Sequence, residues 1–285
     1  MYYKVNQCYS LNIKGNLLEL KRPLVMGILN VTPDSFYAGS RNYEEDKIVS
    51  RIHRIIDEGA DIIDIGGYSS RPFAENISAE EEMCRLSHGL KIITKEVPDA
   101  IVSVDTFRAD VAKYCVEEHG VSIINDISGG DLDNRMYEVV ADLKVPYILM
   151  HMRGNPDTMT SLTDYTDVVA DVIKDLGKKC ARLIDAGVND IIIDPGFGFS
   201  KTVEQNYKLL GAIGEFKNMG FPVLAGVSRK SMIYRSLGIT PEDALNGTTV
   251  LNTIALVNGA DILRVHDVKE AVEAVKLVGL TYPKL

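Results

Sequence analysis

The stretch Val25-Met26-Gly27-Ile28-Leu29-Asn30 is a short apolar run that ends in a polar residue. It is followed by a helical pattern whose apolar residues fall on one face, namely Ile48, Val49, Ile52, Ile55 and Ile56. A second apolar run of the same kind follows at 61–66. Short apolar runs separated by an amphipathic pattern predict a strand, a helix and a second, parallel strand.

This strand–helix pattern recurs eight times along the chain. The predicted strands are 25–30, 61–66, 101–105, 121–125, 147–150, 191–194, 223–227 and 262–265. Glycines stand where the intervening helices are expected to end, at Gly59, Gly120, Gly187, Gly220 and Gly259. Eight alternating units predict an α/β fold, a parallel sheet closed as a (β/α)₈ TIM barrel. A doubly wound open sheet is the alternative, but no Gly-x-Gly-x-x-Gly or Walker loop favours it.

The first residues differ from these repeats. Two β-like runs at 9–13 and 17–20 flank a Gly15-Asn16 turn pattern, which predicts an N-terminal β-hairpin. Because residues 1–22 precede the first repeat, we expect them to cap the bottom of the barrel. No linker or low-complexity tract interrupts the chain, so residues 1–285 are predicted to form a single domain.

The composition narrows the class of protein. With 46% apolar and 25% charged residues it is ordinary for a globular protein, and it contains no apolar run long enough for a membrane span. No secretory signal is visible, so a cytoplasmic protein is expected. Four cysteines lie far apart, which favours neither a zinc site nor a disulfide framework. The net charge of −9 argues against nucleic-acid partners.

Polar residues end nearly every predicted strand. They are Asn30, Asp64, Asp105, Asn125, Asp126, His151, Asp194, Ser228, Lys230, Arg264 and His266. Any one of these residues could instead be a helix N-cap or a structural polar group. That structural interpretation is favoured for Asp126, Ser128 and Asp267. In a barrel, however, the carboxyl ends of all strands meet at one rim, where so many buried polar groups need a shared polar ligand.

The charges at this rim suggest the kind of ligand. Arg71, Lys230, Arg264 and His266 are candidate cations for an anion, whereas the carboxylates and amides suit a heterocycle with a mixed hydrogen-bonding edge. Loops at 30–36 and 66–72 follow adjacent strands and contain opposite charges, Asp34 and Arg71, so we expect them to close together as a lid.

Seven motifs in order resemble the dihydropteroate synthase family over about residues 24–280. They are Gly27-Ile28-Leu29-Asn30-Val31-Thr32-Pro33-Asp34-Ser35-Phe36, Asp64-Ile65-Gly66-Gly67 with Ser70-Arg71-Pro72, Ser103-Val104-Asp105-Thr106, Ile124-Asn125-Asp126-Ile127-Ser128-Gly129, Asp194-Pro195-Gly196-Phe197-Gly198-Phe199, Ser228-Arg229-Lys230-Ser231 and Arg264-Val265-His266-Asp267. The resemblance implies condensation of a dihydropterin diphosphate with p-aminobenzoate, by substitution at the pterin methylene, in a homodimer.

The same resemblance implies roles for individual residues. Asn30, Arg71, Arg264 and His266 would hold the diphosphate, with Asn30 beside a Mg²⁺ ion. Asp105, Asn125, Asp194, Lys230 and Arg264 would line the pterin pocket. Ser70, Pro72, Phe199 and Ser231 would line the p-aminobenzoate site. The residues expected to take part in catalysis are Asp105, Lys230, Arg71 and Asp34.

Four positions depart from the commoner family pattern: Tyr68 for glutamate, Ser70 for threonine, Phe73 for glycine and Ser200 for glycine. They fall at the lid and the p-aminobenzoate side.

Two alternative functions stay open from sequence, a pterin-dependent methyltransferase and a pterin-binding module without catalysis. We expect Arg264→Ala to abolish turnover while largely sparing the fold.

Overall fold

The computed structural model describes residues 9–31, 41–69 and 76–283, and for residues 41–44 the backbone alone. Four of the predicted site residues, Asp34, Ser70, Arg71 and Pro72, lie outside the described residues.

The chain begins with the predicted hairpin. Strands β1 (Ser10–Ile13) and β2 (Asn16–Glu19) pair antiparallel, with Ile13 opposite Asn16. The turn residues are Lys14 and Gly15, both with positive φ (52° and 85°). The predicted turn at Gly15-Asn16 was therefore one residue too late. A two-residue hairpin turn of this hand needs positive φ at both central positions, and Asn16 belongs to the strand instead.

Eight parallel strands form the barrel. They are β3 (Leu24–Asn30), β4 (Ile62–Gly66), β5 (Ile101–Asp105), β6 (Ile123–Asp126), β7 (Tyr147–Met150), β8 (Ile191–Asp194), β9 (Leu224–Ala225) and β10 (Ile262–Val265). Their order in the sheet is β8-β7-β6-β5-β4-β3-β10-β9. Between β8 and β9 the cylinder is closed by a parallel bridge from Ile193 to Val223, with Ile193 N donating to Pro222 O at 2.9 Å. The TIM barrel prediction is confirmed.

Helices alternate with the strands on the outside. They are α1 (Arg41–Asp57), α2 (Ala79–Glu96), α3 (Ala109–His119), α4 (Met136–Leu143), α5 (Val168–Asp185), α6 (Val203–Gly211), α7 (Ile213–Phe216), α8 (Ser231–Leu237), α9 (Leu245–Val257) and α10 (Val268–Thr281). The five glycines predicted to follow helices all have positive φ, between 63° and 100°. Side chains cap the starts of α2, α5 and α6, through Ser78, Asp167 and Thr202, and on α6 Thr202 and Gln205 form a reciprocal capping box.

Four predicted strands have different bounds in the structure, and two of them differ only at the first residue, which is Leu24 for 25–30 and Ile62 for 61–66. The strand predicted at 223–227 is limited to Leu224–Ala225, and the one predicted at 121–125 runs from Ile123 to Asp126. Gly226 directly follows the shortened strand, and glycine within a strand weakens pairing because it has no side chain to pack.

Side-chain alternation divides the barrel into an outer and an inner set. Outward residues such as Leu263 and Val265 pack with the helices in the main core. Inward residues near the strand starts form a second buried cluster, made of Leu24, Met26, Ile62, Ile123, Ile148, Ile192, Leu224 and Ile262. We call this cluster the floor. Leu11 and Leu20 from the hairpin segment belong to it, so the hairpin packs against the floor from the strand starts.

No helix within the described ranges is both long enough and apolar enough to cross a bilayer. That the whole chain of 285 residues is one domain remains a prediction.

Candidate active site

A polar layer lies directly above the floor. Each of its members stands two residues after an inward apolar residue of the same strand, and side chains two apart point to the same face. The members are Asp64, Ser103, Asn125, Asp194 and Arg264. The strand ends thus bring together groups that are as much as 200 positions apart in the chain.

Arg264 joins three strands at this layer. Its Nε donates to Asp64 Oδ2 at 2.6 Å, and its Nη2 donates to Asp105 Oδ2 at 2.7 Å. Asp64 is fully buried, whereas Asp105 and Arg264 each expose about a fifth of the side chain (18% and 21%). The guanidinium is therefore fixed from below and presents its remaining surface to the barrel mouth.

Asp64 is the residue whose part in the site was missed. Its position in the sequence, at the end of a strand, indicates no particular role, although it also accepts from Asn125 Nδ2 at 3.2 Å. Its Oδ1 has no hydrogen-bond partner among the described residues. Strand parity was the signal that pointed to it, because Asp64 lies in register beside Ser103 on the inner face.

Burial and charge set the protonation states here. Burial lowers the pKa of Arg264, but Asp64 and Asp105 more than offset this, so its pKa is raised and it stays charged. Burial raises the pKa of Asp105 to about 7, against the opposing effect of Arg264 and with Asp64 adding to the shift. The barrel mouth therefore contains a permanent cation beside a carboxyl group poised near neutrality.

Lys230 and Asp194 form the opposite side of the layer. Asp194 Oδ1 accepts from Gly196 N at 2.7 Å, and Lys230 Nζ donates to Phe197 O. Burial lowers the pKa of Lys230 to about 8, with Asp194 opposing the shift.

The space between these groups is left open by Gly226. A Cβ at that position would lie 3.7 Å from Lys230 Nζ, 3.9 Å from Asp194 Oδ2 and 3.9 Å from Arg264 Cβ. We call this side-chain-free space at Gly226 the gap, and in it one carbon atom would lie in van der Waals contact with a lysine, a carboxylate and an arginine.

Two further predicted residues stand beside Lys230. The ring of Phe199 lies under Lys230 Nζ, 4.8 Å from its centroid. Ser231 follows Lys230 as the first residue of α8 and is half-buried. Both are close enough in the chain and in space to line an extension of the same mouth.

His266 was expected to be a cation, and this was wrong. Burial, together with the charge of Arg264, lowers its pKa to about 4, so the ring is neutral at pH 7. Its Nδ1 lies 3.0 Å from Ser228 Oγ, and Ser228 Oγ also accepts from His266 N at 3.1 Å. In this neutral state His266 can offer a hydrogen bond to an anion.

The sequence of this chain matches a known protein family. The family described as "Pterin binding enzyme" matches residues 26–266. The dihydropteroate synthase of Escherichia coli (strain K12) is 41% identical over 270 residues, covering 94% of this chain and 95% of the relative. The chain belongs to the dihydropteroate synthase family. It is a pterin-binding transferase of folate biosynthesis.

Solved dihydropteroate synthases have the same architecture. The Yersinia pestis enzyme, in a sulfonamide drug complex, matches with a TM-score of 0.89 at 38% identity, over 96% of this chain and 100% of the other. The Xanthomonas albilineans enzyme in complex with 7,8-dihydropteroate matches with a TM-score of 0.83 at 36% identity, over 96% and 98%. Family membership decides between the functions left open by the sequence in favour of the synthase.

The remaining strand-end residues support the loops. Asp126 accepts from Ser128 N and Oγ, both at 2.7 Å, and from Tyr147 Oη at 2.7 Å. Asp267 pairs with Arg229, at 2.9 Å from Nε and 2.8 Å from Nη2. These contacts agree with the structural interpretation of Asp126, Ser128 and Asp267.

Asn30 ends β3 at the rim and is exposed. A Cβ on neighbouring Gly66 would lie 3.8 Å from Asn30 Oδ1 and 3.6 Å from Asp105 Cβ, so Asn30 and Asp105 flank the same glycine. No group of three or more His, Cys, Asp or Glu side chains arranged to hold a metal occurs in the part of the chain that the structure describes. One amide oxygen suits a Mg²⁺ ion that brings most of its oxygen ligands with a diphosphate.

Proposed function

We propose that the polar layer binds 6-hydroxymethyl-7,8-dihydropterin diphosphate and joins it to p-aminobenzoate, with release of pyrophosphate. The bond between the pterin methylene carbon and the diphosphate oxygen breaks, and a bond from that carbon to the aniline nitrogen forms. The nitrogen loses one proton, and the product is 7,8-dihydropteroate. The observation that carries the proposal is Arg264, held by Asp64 and Asp105 beside the gap at Gly226.

The pterin ring would fill the gap at Gly226. Asn125 and Asp194 would meet its hydrogen-bonding edge, and Lys230 would donate to the ring from beside Asp194. Arg264 would stack on the ring face, since a planar guanidinium packs well on aromatic systems. Ring binding by these buried groups fixes the methylene carbon at the mouth.

Departure of the diphosphate leaves positive charge on the methylene carbon and, through conjugation, on the pterin ring. Asp105, as a carboxylate, would stabilise that charge at close range. Arg264, His266 and Asn30 would hold the departing anion, with Arg71 as a further cation. An aniline nitrogen needs no strong base to attack, which fits a site built for positioning rather than for nucleophile activation.

The second substrate would lie beside Lys230. Phe199 and Ser231 would contact p-aminobenzoate from the described side, and Ser70 and Pro72 from the loop after β4. Asp34 is proposed to act with Arg71 in closing the loops over both substrates.

We infer a Mg²⁺ requirement as well. The ion would be held by Asn30 and by the substrate's own phosphate oxygens, and when bound it would neutralise part of the diphosphate charge. This inference rests on the chemistry of the substrate and the amide donor.

A homodimer and a cytoplasmic location complete the proposal. Apolar side chains on α8 and α9 are exposed, including Leu237 (56%), Val250 (49%) and Ile254 (40%), and such a surface suits a second copy of the chain. Cys84, Cys115 and Cys180 are free thiols, as expected in a reducing compartment.

The deciding experiment measures pyrophosphate release with the pterin diphosphate, p-aminobenzoate and Mg²⁺ all present, and then with each omitted. We expect release to need all three, and 7,8-dihydropteroate to form in equal amount. Release that does not depend on p-aminobenzoate would identify a diphosphatase instead. No release under any condition would refute the proposed reaction.

A further inference from the structure

A buried lysine outside the polar layer organises the loop after β8. Lys201 is 9% exposed, and its Nζ lies 3.0 Å from Gly196 O and 2.9 Å from Phe199 O. It also lies 3.0 Å from His151 Nδ1 and 3.3 Å from His151 O. One amine thus gathers acceptors from two loops, those after β7 and β8.

His151 is built to accept from this lysine. Burial, with Lys201 adding to the effect, lowers the pKa of His151 to about 2, so its ring is neutral and Nδ1 can accept. Burial also lowers the pKa of Lys201, while Asp194 opposes the shift. The amine donates to the carbonyls in either protonation state, because a neutral amine still has two hydrogens.

The first half of this loop has anchors besides Lys201. Phe197 is fully buried in the main core, and Gly196 N donates to Asp194. Gly198 N donates to Asn206 Oδ1 at 2.6 Å. These contacts hold the carbonyl of Phe197 where Lys230 meets it.

The second half is held by Lys201 together with a hydrogen bond from Arg153 N to Ser200 Oγ at 2.9 Å. The side chain of Phe199 is only partly buried, and its backbone is tied by Phe199 N to Gly196 O at 3.2 Å and by Phe199 O to Lys201. The next residue, Ser200, has φ of +47°, a left-handed conformation that is strained in residues other than glycine. The hydrogen bond from Lys201 Nζ to Phe199 O, the carbonyl just before Ser200, helps to hold the chain in this conformation.

We propose that Lys201 is a positioning residue for the acceptor substrate, which sets the Phe199 ring against Lys230 by drawing the carbonyls of Gly196 and Phe199 together. Lys201 itself contacts no substrate. The inference rests on the proposed function, because Phe199 is taken to contact p-aminobenzoate. Since Phe197 and Asp194 are anchored independently, Lys201 acts on the p-aminobenzoate side and leaves the pterin side in place.

The test compares Lys201→Met with the parent enzyme. We expect the KM for p-aminobenzoate to rise by about tenfold, as loss of a buried hydrogen bond would give. The dissociation constant of the pterin diphosphate should change by less than about threefold, because its contacts are retained. Amide hydrogen exchange in residues 196–201 should become faster. An unchanged KM, or an equal loss of affinity for both substrates, would overturn the proposal.

A double-variant measurement separates positioning from general stability. If Lys201 acts through Phe199, Lys201→Met/Phe199→Leu should have the same KM for p-aminobenzoate as Phe199→Leu alone. Additive effects would show that Lys201 acts elsewhere. The matched control is Lys217→Met, which removes a partly buried lysine, paired with Asp261 at 2.6 Å beneath the barrel. It should lose stability with both substrate constants unchanged.

Failure of the Lys201 proposal can be distinguished from failure of the proposed function. If Lys201→Met does not fold, Lys201→Gln can be measured instead, because glutamine retains a shorter donor. It should show the same selective rise in the KM for p-aminobenzoate, to a smaller extent. A Lys201→Gln variant with the KM and the hydrogen exchange of the parent would refute the proposal. If the parent enzyme releases no pyrophosphate, the proposed function fails. Hydrogen exchange in residues 196–201 still reports whether Lys201 shapes the loop.

Discussion

Arg264 Nε and Asp64 Oδ2 lie 2.6 Å apart, although 200 positions separate the two residues in the chain. Asp64 is completely buried, and its partner occupies the barrel mouth. A buried carboxylate without a cation is costly, so each residue needs the other. This pair couples the stability of the barrel to the geometry of the proposed site.

Asp64→Asn should lower turnover by about tenfold or more, since a hydrogen bond to a charged group contributes ~1.5–3 kcal/mol to holding Arg264. Turnover and urea unfolding are to be measured together. The control is Asp110→Asn, which removes an exposed pair with Arg135 at 2.9 Å and should change neither. Wild-type turnover in Asp64→Asn would show that Arg264 is held well enough by Asp105.

Arg264→Ala should abolish turnover and also destabilise the fold. The sequence led us to expect that the fold would be largely spared, but the structure shows that this substitution leaves Asp64 buried without its partner. Breaking such a pair costs about 3–5 kcal/mol. Equilibrium unfolding in urea measures the loss, and Arg264→Ala/Asp64→Asn should recover part of it without recovering turnover. A single variant as stable as the parent would contradict the pairing.

Asp105→Asn should change how stability depends on pH. The pKa of this carboxyl is about 3.9 in an unfolded chain and is raised to about 7 in the fold, chiefly by burial. Its contribution to stability is therefore complete below about pH 4 and is lost as pH rises through about 7. Relative to the parent, Asp105→Asn should gain stability between pH 4 and pH 8. Parallel urea-stability curves across that range would show an ordinary pKa.

Gly226→Ala should fold as well as the parent but bind the pterin diphosphate weakly. Its Cβ meets neighbours at 3.7 Å or more, which is ordinary contact, yet it occupies the gap proposed for the ring. Calorimetric titration with the pterin diphosphate, alongside thermal unfolding, tests this. Gly279→Ala on α10, where a Cβ meets nothing within 4 Å, is the control. Unchanged affinity of Gly226→Ala for the pterin diphosphate would show that the ring binds elsewhere.

The pterin diphosphate should tighten binding of p-aminobenzoate, because residues from the loops after β3 and β4 are proposed to complete the second site. Titrating p-aminobenzoate with and without the diphosphate and Mg²⁺ measures the coupling. Equal affinities in the two titrations would mean that the second site is formed before the first is filled.

The sequence by itself determined the barrel and the layer of residues at its mouth. Alternating apolar runs and amphipathic helices have few solutions, and strand parity alone places Arg264 with His266 and Ser103 with Asp105 on the inner face. The helix-ending glycines followed from the same local chemistry, since few other residues accept positive φ. The hairpin turn and the short β9 were misplaced by a few residues because local patterns do not show which backbone groups find partners.

Only the tertiary structure decided which of these groups meet and in what charge state. The sequence around Asp64 does not show that it pairs with Arg264. The sequence around His266 does not show that burial keeps its ring neutral. Nor does the loop after β8 reveal that Lys201 is turned inward to bind its carbonyls. Hydrogen-bond partners and pKa values depend on distance and burial in the folded chain, and these are set by contacts between segments far apart in sequence.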